Sequence, residues 1–340
     1  MEKSFSEPKI SIITPSYNQG GYLEKTINSI IQQQYPNYEL IIIDGGSTDS
    51  TLDVIRRYEP YITYWVSEPD RGQSHAIQKG LAVATGDIIN WINSDDLVAP
   101  GAFYSIAAEF DLTKYDVICG QCDYFIGTIN QLDLRGMQMK LGDTVGDTFN
   151  IHQINQPSTF FKASVLKQLS VDEQFRYTMD LDLWFRYLLQ AGQERVLLSE
   201  SLLTYFRLHD TSKTVSEGNF FAADIQKVFY NILYSTQQAP VLLESVRSTI
   251  PESDAFTPTY YDVRVPQADL STFVRHQAWL AMHRYNEAGD FKAAQQCLAL
   301  ARRYGQPMNW AVIKQLVRRY LLPARMLHAL ITRPSQRSAS

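Results

Sequence analysis

The chain contains 340 residues, of which 45% are hydrophobic and 20% are charged, with a formal net charge of -5. This composition supplies enough apolar and aromatic residues for a sizeable core, which excludes a disordered chain, and three cysteines are too few for a disulfide framework. Because the chain has no run of about 18 apolar residues, and Met1–Asn18 lacks the basic start of a secretion signal, we expect a soluble, cytoplasmic protein.

The N-terminal part of the chain alternates short apolar strands with amphipathic helices. The predicted strands are Lys9–Thr14, Glu39–Asp44, Tyr61–Val66 and Asp87–Ile92, and the helices between them are Gly21–Gln34, Thr48–Tyr58 and Gln73–Ala84. This alternation is typical of a mostly parallel sheet that is covered by helices on both faces. In such sheets, ligands bind outside the carboxyl ends of the strands.

The pattern changes after residue 215, where helices replace strands. A helix is predicted over Asn219–Tyr234, four prolines predict a looped connection over Ser235–Asp269, and amphipathic helices follow over Leu270–Glu287, Phe291–Tyr304 and Trp310–Tyr320. We therefore predict an N-terminal tail (1–8), an α/β domain (9–234), a linker (235–269), a helical C-terminal region (270–334) and a disordered tail (335–340).

Basic residues are concentrated towards the C-terminal end. Residues 271–340 contain eleven lysines and arginines against Glu287 and Asp290, whereas the rest of the chain is acidic. Within this stretch, residues 310–330 mix apolar residues with four lysines and arginines, which is the composition of a helix lying on an anionic membrane surface. We therefore predict peripheral contact with the inner face of the membrane. The alternative is that the apolar side of this helix packs on its own helical region.

Small, polar and acidic residues follow three of the predicted strands. They are Pro15–Gly20 after the first strand, Asp44–Asp49 after the second and Asn93–Asp96 after the fourth. Asp95 and Asp96 offer the hard oxygen ligands that Mg²⁺ and Mn²⁺ prefer, and such a metal can bridge to a diphosphate. Asp44 is placed to accept a hydrogen bond from a nucleobase N–H. The glycine-rich phosphate-binding motifs of dinucleotide-binding and P-loop proteins are absent from the sequence.

Six segments carry a resemblance to a known family. They are Ile10–Asn18 (ISIITPSYN), Asp44–Asp49 (DGGSTD), Glu68–Gly80 (EPDRGQSHAIQKG), Gly86–Asp96 (GDIINWINSDD), Tyr177–Arg186 (YTMDLDLWFR) and Tyr205–Thr214 (YFRLHDTSKT). In this order and spacing, they resemble the nucleotide-sugar-dependent glycosyltransferases of family 2 over about residues 9–215. The resemblance implies a GT-A fold, that is, a mixed, mostly parallel sheet flanked by helices. It also implies a divalent metal and an inverting, single-displacement transfer of a sugar.

The resemblance implies roles for individual residues of the donor site. The residues that would bind the nucleotide sugar are Thr14, Pro15, Ser16, Asn18, Asp44, Arg71, Gly72, Asn93, Ser94 and Asp95. Among them, Asp44 would contact the base, and Asn93-Ser94-Asp95 occupies the D-x-D position of the family. Asp95 is the foremost metal residue, and His209 matches the histidine that reaches back towards the metal. The chain departs from the common pattern at Asn93, whose amide oxygen is a possible metal ligand without charge.

Two carboxylates are candidates for the general base. Asp180 falls on the second position of the acidic pair of the family, and Met179 replaces the glutamate of the first position. Asp182 is the rival, because it lies in the same predicted helix. Positions two apart on a helix point to different sides, so we expect only one of the two carboxylates to face an acceptor.

These roles predict a metal-dependent glycosyltransferase, with Mn²⁺ or Mg²⁺, that moves a sugar from a nucleoside diphosphate sugar to a hydroxyl of a glycan or lipid-linked acceptor, as in polysaccharide biosynthesis. A UDP-sugar is favoured because Asp44 suits the uracil N3–H, although thymine and guanine also offer an N–H. No nucleic acid partner is predicted, since the acidic part of the chain has no basic groove, and this also disfavours a metal-dependent nuclease. The alternative is a non-catalytic nucleotide-sugar-binding or scaffold protein that retains the fold, a hypothesis that Met179 and Asn93 keep open.

Overall fold

The computed structural model describes residues 7–127, 136, 138–209, 218–251 and 256–307. Its strands are β1 (Ile10–Ser16), β2 (Tyr38–Asp44), β3 (Tyr64–Ser67), β4 (Ile88–Trp91), β5 (Leu97–Val98), β6 (Val117–Ile126), β7 (Thr159–Lys162) and β8 (Val196–Leu208). Its helices are α1 (Gly20–Ile31), α2 (Thr51–Tyr58), α3 (Gln73–Val83), α4 (Ala102–Glu109), α5 (Val145–Ile151), α6 (Ala163–Leu169), α7 (Met179–Ala191), α8 (Gly218–Ser235), α9 (Pro240–Arg247), α10 (Ser271–Glu287) and α11 (Phe291–Arg303).

The strands of the described residues form one mixed sheet in the order β3-β2-β1-β4-β7-β6-β8-β5. Strand β1 is parallel to both β2 and β4, and β2 is parallel to β3, so four carboxyl ends meet at one edge. Ser16 lies opposite Asp44 in this register. Strand β7 is antiparallel to β4 and β6. The predicted mixed, mostly parallel sheet flanked by helices is confirmed.

The alternation of side chains along the central strands separates two apolar cores. Ile12 of β1 and Ile42 of β2 are buried against the helices of one face, which are α1, α2 and α4. Ile13 and Ile43 point to the other core, which contains residues of α3 and α5–α11. Because successive side chains of a strand point to opposite faces, an unbroken run of isoleucine supports both layers at once.

The C-terminal helices continue the second core. Phe273 of α10 contacts the rings of Phe149 and Phe229 edge to face, at centroid distances of 5.6 and 5.2 Å. The segment predicted as a linker contains helix α9, which begins at Pro240. Proline is well suited to the first turn of a helix because the N–H that it lacks has no intrahelical partner there. The prolines of this segment therefore mark a helix start as well as turns.

Some predictions lie outside the described residues. They concern the helix at Trp310–Tyr320, the membrane-binding segment 310–330 and the disordered tail 335–340. Within the described residues, no helix is both long enough and apolar enough to cross a membrane.

Candidate active site

The loops that follow β1 and β2 are tied to each other by hydrogen bonds. The backbone N–H of Asn18 donates to Ser47 Oγ at 2.7 Å, and Asn18 Oδ1 accepts from the N–H of Thr48 at 2.9 Å. Asn18 adopts a left-handed conformation with φ of 53°, which asparagine tolerates better than most residues. A Cβ atom at Gly20 would lie 2.2 Å from Ser50 Oγ, so only glycine allows this close approach. The two loops therefore form one wall of the sheet edge.

Asp44 is buried and its carboxylate is occupied by its own surroundings. One oxygen accepts from the N–H groups of Gly46 and Ser47 at 3.1 and 2.9 Å and from Ser67 Oγ at 2.6 Å. The other oxygen accepts from the hydroxyl of Ser47. A carboxylate has about four acceptor positions, so these bonds use its capacity. The geometry makes Asp44 the residue that shapes its loop, and the predicted base contact would have to displace one of these bonds.

The polar side chains at the end of β1 are buried without partners. Neither Thr14 Oγ1 nor Ser16 Oγ has a hydrogen-bond partner in the described part of the chain. An unsatisfied buried hydroxyl costs about 1–3 kcal/mol. Both groups, with Pro15 between them, lie at the carboxyl end of β1, where the sequence analysis predicts the nucleotide.

Tyr17 and Asp70 flank the same edge, although the sequence analysis gave neither of them a role in binding. Tyr17 is 60% exposed. A Cβ atom at Gly45 would meet Tyr17 Cδ2 at 3.3 Å and Asp70 Oδ2 at 2.8 Å, so an aromatic ring and a carboxylate both lie next to this glycine. Such a pair suits a nucleobase, which stacks on rings and donates N–H groups. The signal in the sequence was a large aromatic residue within a loop that follows a buried strand.

Arg71 is paired with a carboxylate distant in the sequence. Its Nε and Nη2 atoms both donate to Glu173 at 2.8 Å in a bidentate arrangement. The guanidinium that the sequence predicted to bind phosphate is therefore paired with Glu173, which lies in the connection between α6 and α7. Gly72 precedes α3 with φ of 112°, a conformation that favours glycine, and its N–H donates to Asp70 Oδ1 at 2.8 Å.

The structure brings two of the predicted metal residues together. Asp95 Oδ2 lies 2.9 Å from His209 Nε2, and the ring of His209 stacks on Tyr22 at a centroid distance of 4.9 Å. Divalent metals that bind nucleotides take one or two protein ligands and complete their shell with phosphate oxygens and water. A carboxylate beside an imidazole fits such a metal, and Mn²⁺ accepts both ligand types.

Asn93 and Ser94 take other positions. Asn93 Oδ1 accepts from Gln73 Nε2 at 2.7 Å, and Asn93 Nδ2 donates to Asp96 Oδ2 at 3.3 Å, so the amide oxygen predicted as a ligand is engaged by α3. The carbonyl of Ser94 accepts from Thr26 Oγ1 at 2.9 Å. No group of three or more His, Cys, Asp and Glu side chains with metal-binding geometry exists among the residues that the structure describes.

Arg207 is a buried cation next to Asp95, and the sequence analysis missed it. Its Nε donates to the carbonyl of Asp95 at 2.7 Å, and its backbone N–H donates to Asp96 Oδ1 at 3.0 Å. The guanidinium lies over the rings of Tyr22 and Phe125, at 5.0 and 4.4 Å from their centroids. Burial, and next the charge of Asp95, raises the pKa of the Asp96 carboxyl well above its usual range. Arg207 and Asp96 thus fix the backbone that presents Asp95.

The two candidate bases have different environments. Asp182 is fully buried, forms an ion pair with Arg186 at 2.8 Å and accepts a hydrogen bond from the hydroxyl of Tyr261. Asp180 is partly exposed, and among the described residues its carboxylate accepts hydrogen bonds only from the N–H groups of Leu181 and its own backbone. Burial raises the pKa of the Asp180 carboxyl to about 6. A carboxylate with free acceptor positions and a pKa near neutrality is suited to proton abstraction.

Comparisons with known sequences identify the family of this domain. Residues 11–170 match the family model of glycosyl transferase family 2. An uncharacterized glycosyltransferase of Rickettsia typhi is 28% identical over 225 residues, which cover 63% of this chain and 68% of the relative. Glycosyltransferase GlyG of Streptococcus pneumoniae is 31% identical over 114 residues, which cover 33% of this chain and 38% of the relative.

Solved structures agree with the fold. TarS of S. aureus in complex with UDP-GlcNAc aligns with a TM-score of 0.56 at 17% identity, covering 88% of this chain and 93% of that chain. The mannosyltransferase PcManGT from Pyrobaculum calidifontis, in complex with GDP-Man and Mn²⁺, aligns with a TM-score of 0.51 at 16% identity, covering 95% of this chain and 85% of that chain. These similarities show the predicted GT-A type of fold. Residues 11–170 are therefore a glycosyl transferase family 2 domain, and the relatives support a glycosyltransferase enzyme.

Proposed function

We propose that the protein transfers a sugar from a nucleoside diphosphate sugar to a hydroxyl of a glycan or lipid-linked acceptor, in polysaccharide biosynthesis, with inversion at the anomeric carbon. The reaction is assigned to the α/β domain of residues 9–234. The observation that carries this proposal is the juxtaposition of Asp95 Oδ2 and His209 Nε2 at 2.9 Å on the carboxyl edge of the sheet. It supplies a place for a diphosphate held through a divalent cation.

The donor lies across the carboxyl ends of β1 and β2 in this proposal. The buried, unpaired hydroxyls of Thr14 and Ser16 hydrogen-bond to it, and Asn18 holds the two loops together. Tyr17 offers a ring for the base. Bound Mn²⁺ or Mg²⁺, next to Asp95 and His209, would supply positive charge that stabilises the departing diphosphate.

Asp180 is the general base of the proposed reaction. Its carboxylate takes the proton of the acceptor hydroxyl while the acceptor oxygen bonds to the anomeric carbon from the face opposite the diphosphate. The bond between the anomeric carbon and the diphosphate oxygen breaks in the same displacement, so the configuration inverts. A pKa of about 6 keeps most of Asp180 ionised at neutral pH and still basic enough to accept a proton.

A UDP-sugar remains the favoured donor, but the residue proposed to contact uracil is now Asp70 and not Asp44. Asp70 Oδ1 accepts from the N–H of Gly72, and its Oδ2, which lies beside Gly45 and the Tyr17 ring, is an acceptor suited to the uracil N3–H. TarS, whose fold this chain shares, binds UDP-GlcNAc, whereas PcManGT binds GDP-Man with Mn²⁺. Guanine and thymine therefore remain alternatives to uracil, and the experiment below compares all three bases.

The non-catalytic alternative rested on Met179 and Asn93. Met179 is buried at the start of α7, where it fills the core and leaves Asp180 as the carboxylate of the first turn. Asn93 orders the loop through Gln73 and Asp96. Both residues thus have structural roles that are compatible with turnover, and the proposal assigns the reaction to Asp180 and Asp95 without them.

A donor panel tests the proposed function. Purified protein is incubated with UDP-, dTDP- and GDP-sugars, with Mn²⁺ or with EDTA, and release of the nucleoside diphosphate is measured. We expect slow Mn²⁺-dependent hydrolysis of a UDP-sugar by the wild type, and a much lower rate for Asp180→Asn at unchanged donor affinity. Nucleotide-sugar binding without hydrolysis or transfer, in wild type and variant alike, would support the non-catalytic alternative.

A further inference from the structure

A cavity of about 250 Å³ lies apart from the donor loops, where α8, α10 and the end of α5 meet. Ile225 and Phe229, four positions apart, face it from α8, and Leu280 and Arg284, also four apart, face it from α10. Asn150 and His152, at the end of α5, close one side. No residue of the proposed donor site or base lines this cavity.

Arg284 brings an uncompensated positive charge to the cavity. Its Nε donates to Ser245 Oγ at 3.0 Å, but its Nη2 is buried and has no partner within the described residues. Burial lowers the pKa of this guanidinium, and the groups whose charge opposes that effect are Cys297 and Tyr285, neither of which is a carboxylate. Leaving the buried Nη2 of a charged group without a partner is costly, so the arrangement favours an anion.

A second unsatisfied group in the same cavity requires a hydrogen-bond donor. Asn150 Oδ1 is buried and has no partner among the residues described. His152 adopts a left-handed conformation with φ of 38°, and its ring contacts Phe229 edge to face at 5.9 Å. His152 and His276 stand exposed at the mouth, where both imidazoles can donate to an anion.

We propose that this cavity binds a small hydroxylated anion, namely a sugar phosphate or sugar acid unit. The anionic group accepts from Arg284 Nη2, a hydroxyl donates to Asn150 Oδ1, and the apolar face of the sugar ring packs on Phe229. The cavity is smaller than the about 300–1,000 Å³ of sites for drug-sized ligands, so it suits one monosaccharide unit. This binding is independent of the proposed transfer reaction and of the divalent metal.

Isothermal titration calorimetry tests the site with defined probes. Glucose 6-phosphate, glucuronate and glucose are titrated into the full chain in the presence of EDTA and without nucleotide, so that the donor site contributes little. We expect saturable binding of the two anions and none of glucose. Arg284→Gln should weaken the affinity for both anions about 10- to 100-fold, because a hydrogen bond to a charged group is lost. Arg303→Gln, at an exposed arginine of the neighbouring helix α11, is the matched control and should bind as the wild type does.

A second variant keeps the proposal testable if Arg284→Gln does not fold. Asn150→Asp preserves an acceptor for the sugar hydroxyl but places a negative charge beside the anion, so it should also weaken anion binding. Absence of saturable binding of both anions to the wild type would overturn the proposal. So would equal affinity for glucose and glucose 6-phosphate, or full binding by both folded variants.

Discussion

The hydroxyl of Tyr261 donates a hydrogen bond to the buried carboxylate of Asp182, a residue 79 positions earlier in the chain. The other oxygen of this carboxylate forms an ion pair with Arg186 at 2.8 Å. Asp182 therefore joins α7 to the segment between α9 and α10 and, because it is fully buried, is inaccessible to an acceptor. The contact separates the two carboxylates that the sequence left as rivals, because Asp180, on a different side of α7, has free acceptor positions.

Exchanging the two carboxylates for amides should give opposite results. Asp180→Asn should lower the transfer rate about 10²- to 10⁴-fold and leave the melting temperature unchanged or higher. Asp182→Asn should remove the carboxylate partner of the largely buried Arg186 and destabilise the fold by about 3–5 kcal/mol, with the residual folded enzyme active. Thermal unfolding and initial rates decide it, and an inactive but fully stable Asp182→Asn would make Asp182 the base.

Asp180 should also set the pH dependence of the reaction. Its pKa is raised from 3.8 to about 6 by burial, so the carboxylate is protonated below that pH and cannot accept the proton of the acceptor. We expect kcat/KM to rise with pH through an apparent pKa of about 6 and to level off above it. A profile that stays flat from pH 5 to pH 8 would contradict the assignment.

The same shift predicts how stability changes with pH. Because the folded-state pKa of Asp180 lies above the unfolded value, the native state binds this proton more tightly than the unfolded state. The contribution of Asp180 to the unfolding free energy is therefore greatest below pH 3.8 and is lost as the pH rises through about 6. Asp180→Asn should gain stability relative to the wild type as the pH increases across this window, which denaturant titrations at several pH values can measure.

The pairing of Asp95 with His209 predicts a shared defect in metal binding. Asp95→Ala and His209→Ala should each reduce Mn²⁺-dependent binding of the nucleoside diphosphate by about tenfold or more, since each removes one of the groups proposed to hold the metal. Asp53→Ala, at an exposed carboxylate of α2, is the matched control. Titrations with and without Mn²⁺ provide the measurement, and unchanged metal-dependent affinity in both site variants would exclude this site.

A substitution at Asp44 can distinguish a structural role in its loop from the predicted hydrogen bond to the nucleobase. Asp44→Asn removes an acceptor from a set of four hydrogen bonds and should cost about 1.5–3 kcal/mol of stability. If the residue only shapes the loop, affinities for UDP, dTDP and GDP should fall by a similar factor. A selective loss for one nucleotide, with stability unchanged, would restore the base contact that the sequence predicted.

The sequence predicted local features well and long-range contacts poorly. The strands that end at Ser16 and Asp44 followed from runs of isoleucine, and the polar loops after them followed from turn chemistry. The meeting of Asp95 with His209 came from the family resemblance, because the two residues are 114 positions apart. The pairing of Arg71 with Glu173 had no signal at all, since surface charges have many possible partners and only the folded geometry selects one.

Arg207 illustrates the same limit at the centre of the site. An arginine in an apolar strand reads as a residue pointing to solvent, yet its guanidinium is buried between Tyr22 and Phe125 and donates to the carbonyls of Asp95 and Gly127 at 2.7 and 3.0 Å. The planar guanidinium group can stack on the two rings and donate hydrogen bonds from two nitrogen atoms at the same time. The ammonium group of lysine can do neither. In the proposed reaction, the arginine is therefore expected to act through the position of Asp95.

Arg207→Lys should consequently impair the donor site while retaining a charge. The point charge of lysine cannot hold the Asp95 carbonyl and stack between two rings at once, so the Asp95 carboxylate should shift relative to His209. A misplacement of about 1 Å costs as much as about 10²-fold in rate, and we expect a loss of this order in kcat/KM together with weaker Mn²⁺-dependent binding of the diphosphate. Arg264→Lys, at an exposed arginine paired with Asp262, controls for the substitution itself. Wild-type affinity and rate in Arg207→Lys would show that its charge alone is sufficient and that the stacked, forked geometry is not needed to position Asp95.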